Sequence, residues 1–216
     1  MQPVFQQGPL CGEEHVRRFG GVVPDLLIML WQRVGFSGFA DGAMWMIDPL
    51  EWAGAAAEML RGVKVRFLEP GSLLVPVARS AFGQFWFWSP GHGVCLSVRP
   101  ADGELDMYSD PWARVNADRN VFIWLASMKA DDMNMYDQRD EGLFEQALMA
   151  YGPVNERQCY AFVPSILLGG PNHVDHIEKV GLRAHLKVLD MIGRGEVSFE
   201  LGQPVRSIDG RPLREQ

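Results

Sequence analysis

Cysteine is scarce in this 216-residue chain. The three present, Cys11, Cys95 and Cys159, are an odd number, far apart and outside any CxxC spacing. That argues against a disulfide frame or a zinc site and predicts reduced, buried thiols. Positive charge is also in short supply, with 20 Lys and Arg against 27 Asp and Glu and a net charge of -7. Proteins that hold DNA, RNA or anionic lipid need a basic footprint, so direct binding to these polyanions is disfavoured and a basic partner suits the chain better. Long hydrophobic runs are missing too: VVPDLLIMLW carries a proline and an aspartate and falls short of the roughly 18 to 20 residues that cross a bilayer. No membrane span is expected. The segment MQPVFQQGPL lacks the basic and apolar regions of a secretory signal, which makes the cytoplasm the expected location.

What the chain does have is apolar content, 47% of its residues, enough for a sizeable core. In GGVVPDLLIMLWQRVG, Pro24 suits a first helical position, Leu26, Leu27, Leu30, Trp31 and Val34 fall on one face, and Gly35 supplies a stop. DPLE predicts a second helix, with Asp48 as cap, Pro49 as first residue, Glu51 reaching back, and a face of Ala53, Ala56, Ala57 and Leu60. Over residues 73–108 the pattern turns to strands. LLVPVA, FWFW and VCLSV are separated by SPGHG and PADG, which predicts an antiparallel meander. Helical spacing returns at Leu143, Phe144, Ala147, Leu148 and Tyr151, closed by Gly152 and Pro153, and again at Leu182, His185, Leu186 and Leu189, ending at Gly193. The expected fold class is α+β, a mostly antiparallel twisted sheet flanked by helices, with two small domains packed into one body. The expected division is 1–115 and 116–216, with a soft boundary across residues 110–118.

Catalytic signatures are sparse. GGPN lacks the GxxxxGK[ST] pattern and its proline removes a backbone donor; SPGHG has no third glycine at the dinucleotide spacing; FSGF is not GxSxG, which leaves Ser37 without a nucleophile elbow. Cys95 and Cys159 sit in strand-like apolar runs, where a thiol is a small core residue. The sharpest chemical candidate is NHVDH, whose His173, Asp175 and His176 could ligate a metal with His185 as a fourth group and support a metal-dependent hydrolase. The alternative places His173 and His176 on an exposed connection and His185 as a hydrogen-bonded core histidine. No recognised ligand spacing favours the metal, so the reading is a non-enzyme with no metal and no cofactor.

KADDMNMYDQRDE, residues 129 to 141, differs in kind. Asp131, Asp132, Asp137, Asp140 and Glu141 surround Met133, Met135 and Tyr136, and charged rims around methionine and aromatic anchors are common at protein interfaces. The candidate partner-binding residues are therefore Asp131, Asp132, Met133, Met135, Tyr136, Asp137 and Asp140. A solvated loop whose acids favour the next helix's N-terminus explains the same residues. Trp86, Trp88 and Trp112 pose the same choice between sheet core and exposed anchor.

Two stretches resemble known families. GFSGFADGAMWMIDPLEW followed by ARSAFGQFWFW is similar to the GAD-related domain, and CYAFVPSILLGGP followed by VGLRAHLKVLDMIG resembles the C-terminal domain of type VI secretion immunity proteins. Together they cover most of residues 10 to 193. Where that family has an acidic pair before the tyrosine, this chain has Arg157, Gln158 and Cys159, with Glu156 upstream. No pyridoxal lysine motif accompanies the GAD label. The resemblance implies a cytoplasmic immunity protein that neutralises a cognate toxin nuclease domain of GHH-type DNase class, whose DNA-holding surface is basic. It transfers no catalytic residues, and it implies that Tyr160, Phe162, Val163, Ile166 and Leu167 are core while Gly169 and Gly170 turn the chain toward the last helix. A generic regulatory binding module, or an enzyme that modifies a toxin, are the readings from other classes.

Overall fold

The run FWFW is apolar at every position because both faces of its strand are covered. A computed structural model of the chain describes residues 4–69 and 71–193. Six strands, β1 (Gly38–Phe39), β2 (Met44–Met46), β3 (Val75–Ser80), β4 (Phe85–Ser89), β5 (Gly93–Arg99) and β6 (Glu104–Met107), pair antiparallel in chain order. Strands β3 to β6 fall within the predicted meander. The very short β1 and β2 extend it on the other edge.

Alternation along β4 sends Trp86 and Trp88 to one face and Phe85 and Phe87 to the other. The tryptophans pack with Met44, Met46 and Val75 against Phe19 of α1 (Glu13–Phe19), Leu27 and Trp31 of α2 (Asp25–Arg33), and Val121 of α4 (Ala117–Ser127). The phenylalanines pack with Trp45, Leu96 and Val98 against Trp52, Ala55 and Ala56 at α3 (Ala53–Met59) and Leu182 of α6 (Leu182–Gly193). Strands buried on both faces read as continuous apolar runs, as here. A third cluster joins Ala81 and Phe82 to Leu143 and Ala147 at α5 (Phe144–Tyr151) and to Tyr160, Phe162 and Ile177 of a second sheet, β7 (Gln158–Phe162) with β8 (Ile177–Gly181). The fold is mixed α+β. All three clusters draw on residues from both halves of the chain.

Arg79 ties those halves together. Fully buried on β3, its guanidinium donates to the carbonyls of Ser80 (3.0 Å) and Asn155 (2.8 Å) and lies over the Trp45 ring at 5.4 Å. Burial lowers its pKa to about 10, since desolvation penalises the charged form.

Several local expectations are corrected. Asp48 accepts from the amides of Leu50 (2.8 Å) and Glu51 (3.2 Å), but this holds a turn, and α3 begins only at Ala53. Glu51 does not reach back; it lies 3.6 Å from Arg157. The later start rotates the buried face to Ala55 and Ala56, leaving Ala53 and Ala57 exposed. Val163 is 46% exposed, and Ile166 and Leu167 are only partly buried. Pro164 has no amide to donate to a strand ladder, so β7 stops at Phe162. At Gly170 a Cβ would lie 2.1 Å from the carbonyl oxygen of Pro164, a close approach that only glycine permits. The chain then forms β8 before reaching α6, so the glycines do not lead directly to the last helix. Cys11 is partly exposed, whereas Cys95 and Cys159 are buried and their thiols are pushed up to about 12 by desolvation.

Candidate functional site: a carboxylate-lined cleft beside α4

The site begins with the seating of α4. Asp110 caps the turn Pro111–Arg114 by accepting from the Trp112 amide (2.9 Å), and Asn116 caps α4 by accepting from the Arg119 amide (2.8 Å). Asn120 then pins the helix to the sheet: its Oδ1 accepts from the Val94 amide (3.1 Å) and its Nδ2 donates to Asp110 (3.0 Å). Gly93 makes room for this, since a Cβ there would lie 2.3 Å from Asn120 Oδ1.

Between α4 and the β4–β6 side of the sheet lies a cleft of about 610 Å³. Register sets Trp86 opposite Ser97 and Ser97 opposite Asp106, so all three share one face and form its floor with Gln84 and Arg99. Gln84 Nε2 donates to Ser97 Oγ (3.2 Å), and Ser97 Oγ donates to Asp106 (3.1 Å). Ile123 and Trp124 form the helix wall, and Tyr108, Asp110, Asp131 and Asp132 complete the lining.

The charge is one-sided. Arg99, the one basic residue of the lining, is held by Asp102 at 2.8 Å and by Glu104. Among the described residues, no cation lies within ion-pair distance of Asp106, Asp110, Asp131 or Asp132. Burial pushes the Tyr108 phenol up to about 12, with Asp106 and Asp132 adding to the rise. Such a concavity attracts cations and repels phosphate.

The two parts that meet here match two known families. Residues 2–101 match the GAD-like domain, and residues 118–193 match the family described as T6SS immunity protein Tdi1, C-terminal. This chain is a two-domain type VI secretion immunity protein. A solved structure, "Crystal structure of Atu4351 from Agrobacterium tumefaciens", superposes with a TM-score of 0.78 over 95% of this chain and 90% of that one, at 17% identity. That likeness shows a shared fold. A search of curated proteins returns no match.

In the immunity protein the acidic segment divides in two. Asp131 and Asp132 are exposed and line the cleft, Asp131 accepting from the Tyr136 hydroxyl (2.8 Å) and Asp132 from the Lys129 amide (2.8 Å). The bond to Asp131 raises the Tyr136 pKa. Asp137 instead accepts from the amides of Arg139 (2.8 Å) and Glu141 (2.9 Å), which lowers its own pKa and closes a tight loop that also holds exposed Asp140. Met133 packs partly against the α2–α4 core. Met135 is 4% exposed and belongs to the third core cluster, so it is unavailable as a surface contact; its place under α5 takes it inward.

Trp86 and Trp88 are sheet core, whereas Trp112 is 63% exposed, beside exposed Val115. On α4, Phe122 (63%) and Ile123 (43%) are also exposed. The floor carboxylates and α4 itself escaped the sequence reading. Readable signals existed: alternation of Ser97 and Arg99 opposite Glu104 and Asp106, and the capping asparagine before ADRN.

His173 Nδ1 lies 3.2 Å from Asp175, both well exposed, and no group of three or more possible metal ligands exists among the described residues. That removes the proposed grouping with His176 and His185. His185 Nε2 is buried without a hydrogen-bond partner, contrary to the expected hydrogen-bonded histidine, and burial lowers its pKa to about 4. No described helix is long and apolar enough to cross a membrane.

Proposed function

We propose that this immunity protein binds and neutralises a cognate type VI antibacterial DNase of GHH type in the cytoplasm of the producing cell. The observation that carries the reading is the match of residues 118–193 to an immunity domain whose exposed surface includes the carboxylates of residues 131–141. Asp131, Asp132, Asp137 and Asp140, with Met133 and Tyr136 between them, form the partner surface, and Met135 supports it from beneath. The protein acts by occupying the toxin and turns over no substrate.

The physics favours such a division of labour. A nuclease carries basic surface to hold DNA, so an acidic protein is steered to it quickly and competes with phosphate for the same groups. Neutralisation also has to be tight. Nanomolar affinity corresponds to about 12 kcal/mol and calls for an interface of order 1,600 Å² with a few anchors, beyond what charge alone supplies. The test is size-exclusion chromatography with a GHH-type nuclease domain from the producing strain at about 150 mM salt, where exposed charges are largely screened. A stoichiometric complex is expected. Separate elution of the two proteins at micromolar concentration contradicts the proposal.

A further inference from the structure

We propose that the cleft between α4 and the β4–β6 face seats an arginine side chain presented by the toxin, an inference that rests on the immunity reading above. Charge complementarity is the first argument. Asp106, Asp110, Asp131 and Asp132 line the cleft without a cation partner among the described residues, and Arg99 is already occupied by two other carboxylates. Complementary potential of this kind selects partners and steers encounter.

An independent observation on the floor points to the same ligand class. Gln84 is 5% exposed and lines the cleft; its Nε2 is spent on Ser97, while its Oε1 has no hydrogen-bond partner. An orphaned buried acceptor is a standing penalty that a donor relieves. Carboxylates and a carbonyl-type oxygen are all acceptors, and a guanidinium offers five N–H donors in one plane with no acceptor of its own.

Aromatic surface discriminates arginine from lysine. Trp86 and Trp124 both line the cleft, with ring centroids 6.4 Å apart and planes tilted by 56°. A guanidinium is weakly hydrated and stacks on indole faces while its edge donates to carboxylates; an ammonium does neither as well. Exposed Ile123 on the helix wall covers the aliphatic stem.

Two measurements on the full chain separate this inference from the immunity reading. Asp106→Asn combined with Asp132→Asn keeps hydrogen-bond acceptors in place and removes two charges. Glu145→Gln with Glu178→Gln, both exposed and away from the cleft, removes the same charge elsewhere. Binding to the GHH-type nuclease domain is expected to weaken at least about 30-fold for the first pair and to stay within about threefold for the second. Equal effects of the two pairs overturn the cleft assignment while leaving neutralisation intact; absence of binding by the unaltered protein overturns the immunity reading instead.

The second measurement needs no toxin. The indole N–H resonances of Trp86 and Trp124 are followed while acetyl-Gly-Arg-Gly-amide, or its citrulline counterpart, is added. Shifts with the arginine peptide that are lost in the Asp106→Asn/Asp132→Asn protein are expected. No shift, or equal shifts with both peptides, contradicts the proposal. An unchanged melting temperature confirms that the variants are folded.

Discussion

Strands β3 and β4 and the β5–β6 edge belong to one sheet, yet they live under different rules. At the centre, helices cover both faces, and every residue of β3 and β4 is buried. At the edge, all four residues of β6 are only partly buried, and the α4 side carries Ser97, Arg99, Glu104 and Asp106 in alternation with apolar neighbours. Packing decides composition in the first region. In the second, incomplete cover by α4 leaves room for polar groups, and among the described residues Asp106, Asp110, Asp131 and Asp132 line the gap with hydrogen-bond donors but no cation beside them.

The largest effect is expected from separating the two halves of the chain. Because each of the three cores takes residues from both halves, neither 1–115 nor 116–216 is expected to fold alone. Circular dichroism and limited proteolysis of the separate pieces read this directly, and a cooperative thermal transition in either piece speaks against the shared-core account.

Next in size is a matched pair of truncations. Phe87→Ala, at a fully buried position, is expected to lower stability by about 3–5 kcal/mol through lost burial and a cavity. Phe122→Ala, on the exposed face of α4, is expected to change it by no more than about 0.5 kcal/mol. Urea unfolding of both variants measures the contrast.

An effect smaller than the Phe87 truncation lies in pH. His185 has its pKa lowered to about 4 by burial, against a reference near 6.5 when unfolded. The unfolded chain therefore takes up the proton first, so stability contributed by the neutral form is present above about pH 6.5 and is lost as pH falls toward about 4. The loss is on the order of 3 kcal/mol, and His185→Leu is expected to flatten that part of the pH profile.

How much of this was legible in the sequence follows from the same contrast. Regular burial writes a period, so α2, α5, α6 and the β3–β6 meander could be read from spacing. α4 could not, because exposed Phe122 and Ile123 merge with buried Val121 and partly buried Trp124 and Leu125 into the unbroken run VFIWL, which hides the helical period. α3 was anticipated but misplaced, since Asp48 and Pro49 make a turn that a capping pattern resembles. β1 and β2 are too short to show alternation. Within the candidate site, Asp131 and Asp132 stood out as a charge cluster. Asp106 and Asp110 did not, because it is strand register and the Asn120 contacts that bring them to the same cleft.

Exposed apolar groups on α4 and just before it also fit the proposed role. Trp112, Val115, Phe122 and Ile123 are large side chains left in solvent on the segment that runs from cleft-lining Asp110 into α4, a combination suited to anchoring a partner whose charge the carboxylates attract.

The most direct measurement of the central claim is DNA cleavage by a GHH-type nuclease domain in the presence of an equimolar amount of this protein. The account predicts that cleavage stops and returns when the protein is removed. Undiminished cleavage with the protein in excess contradicts it.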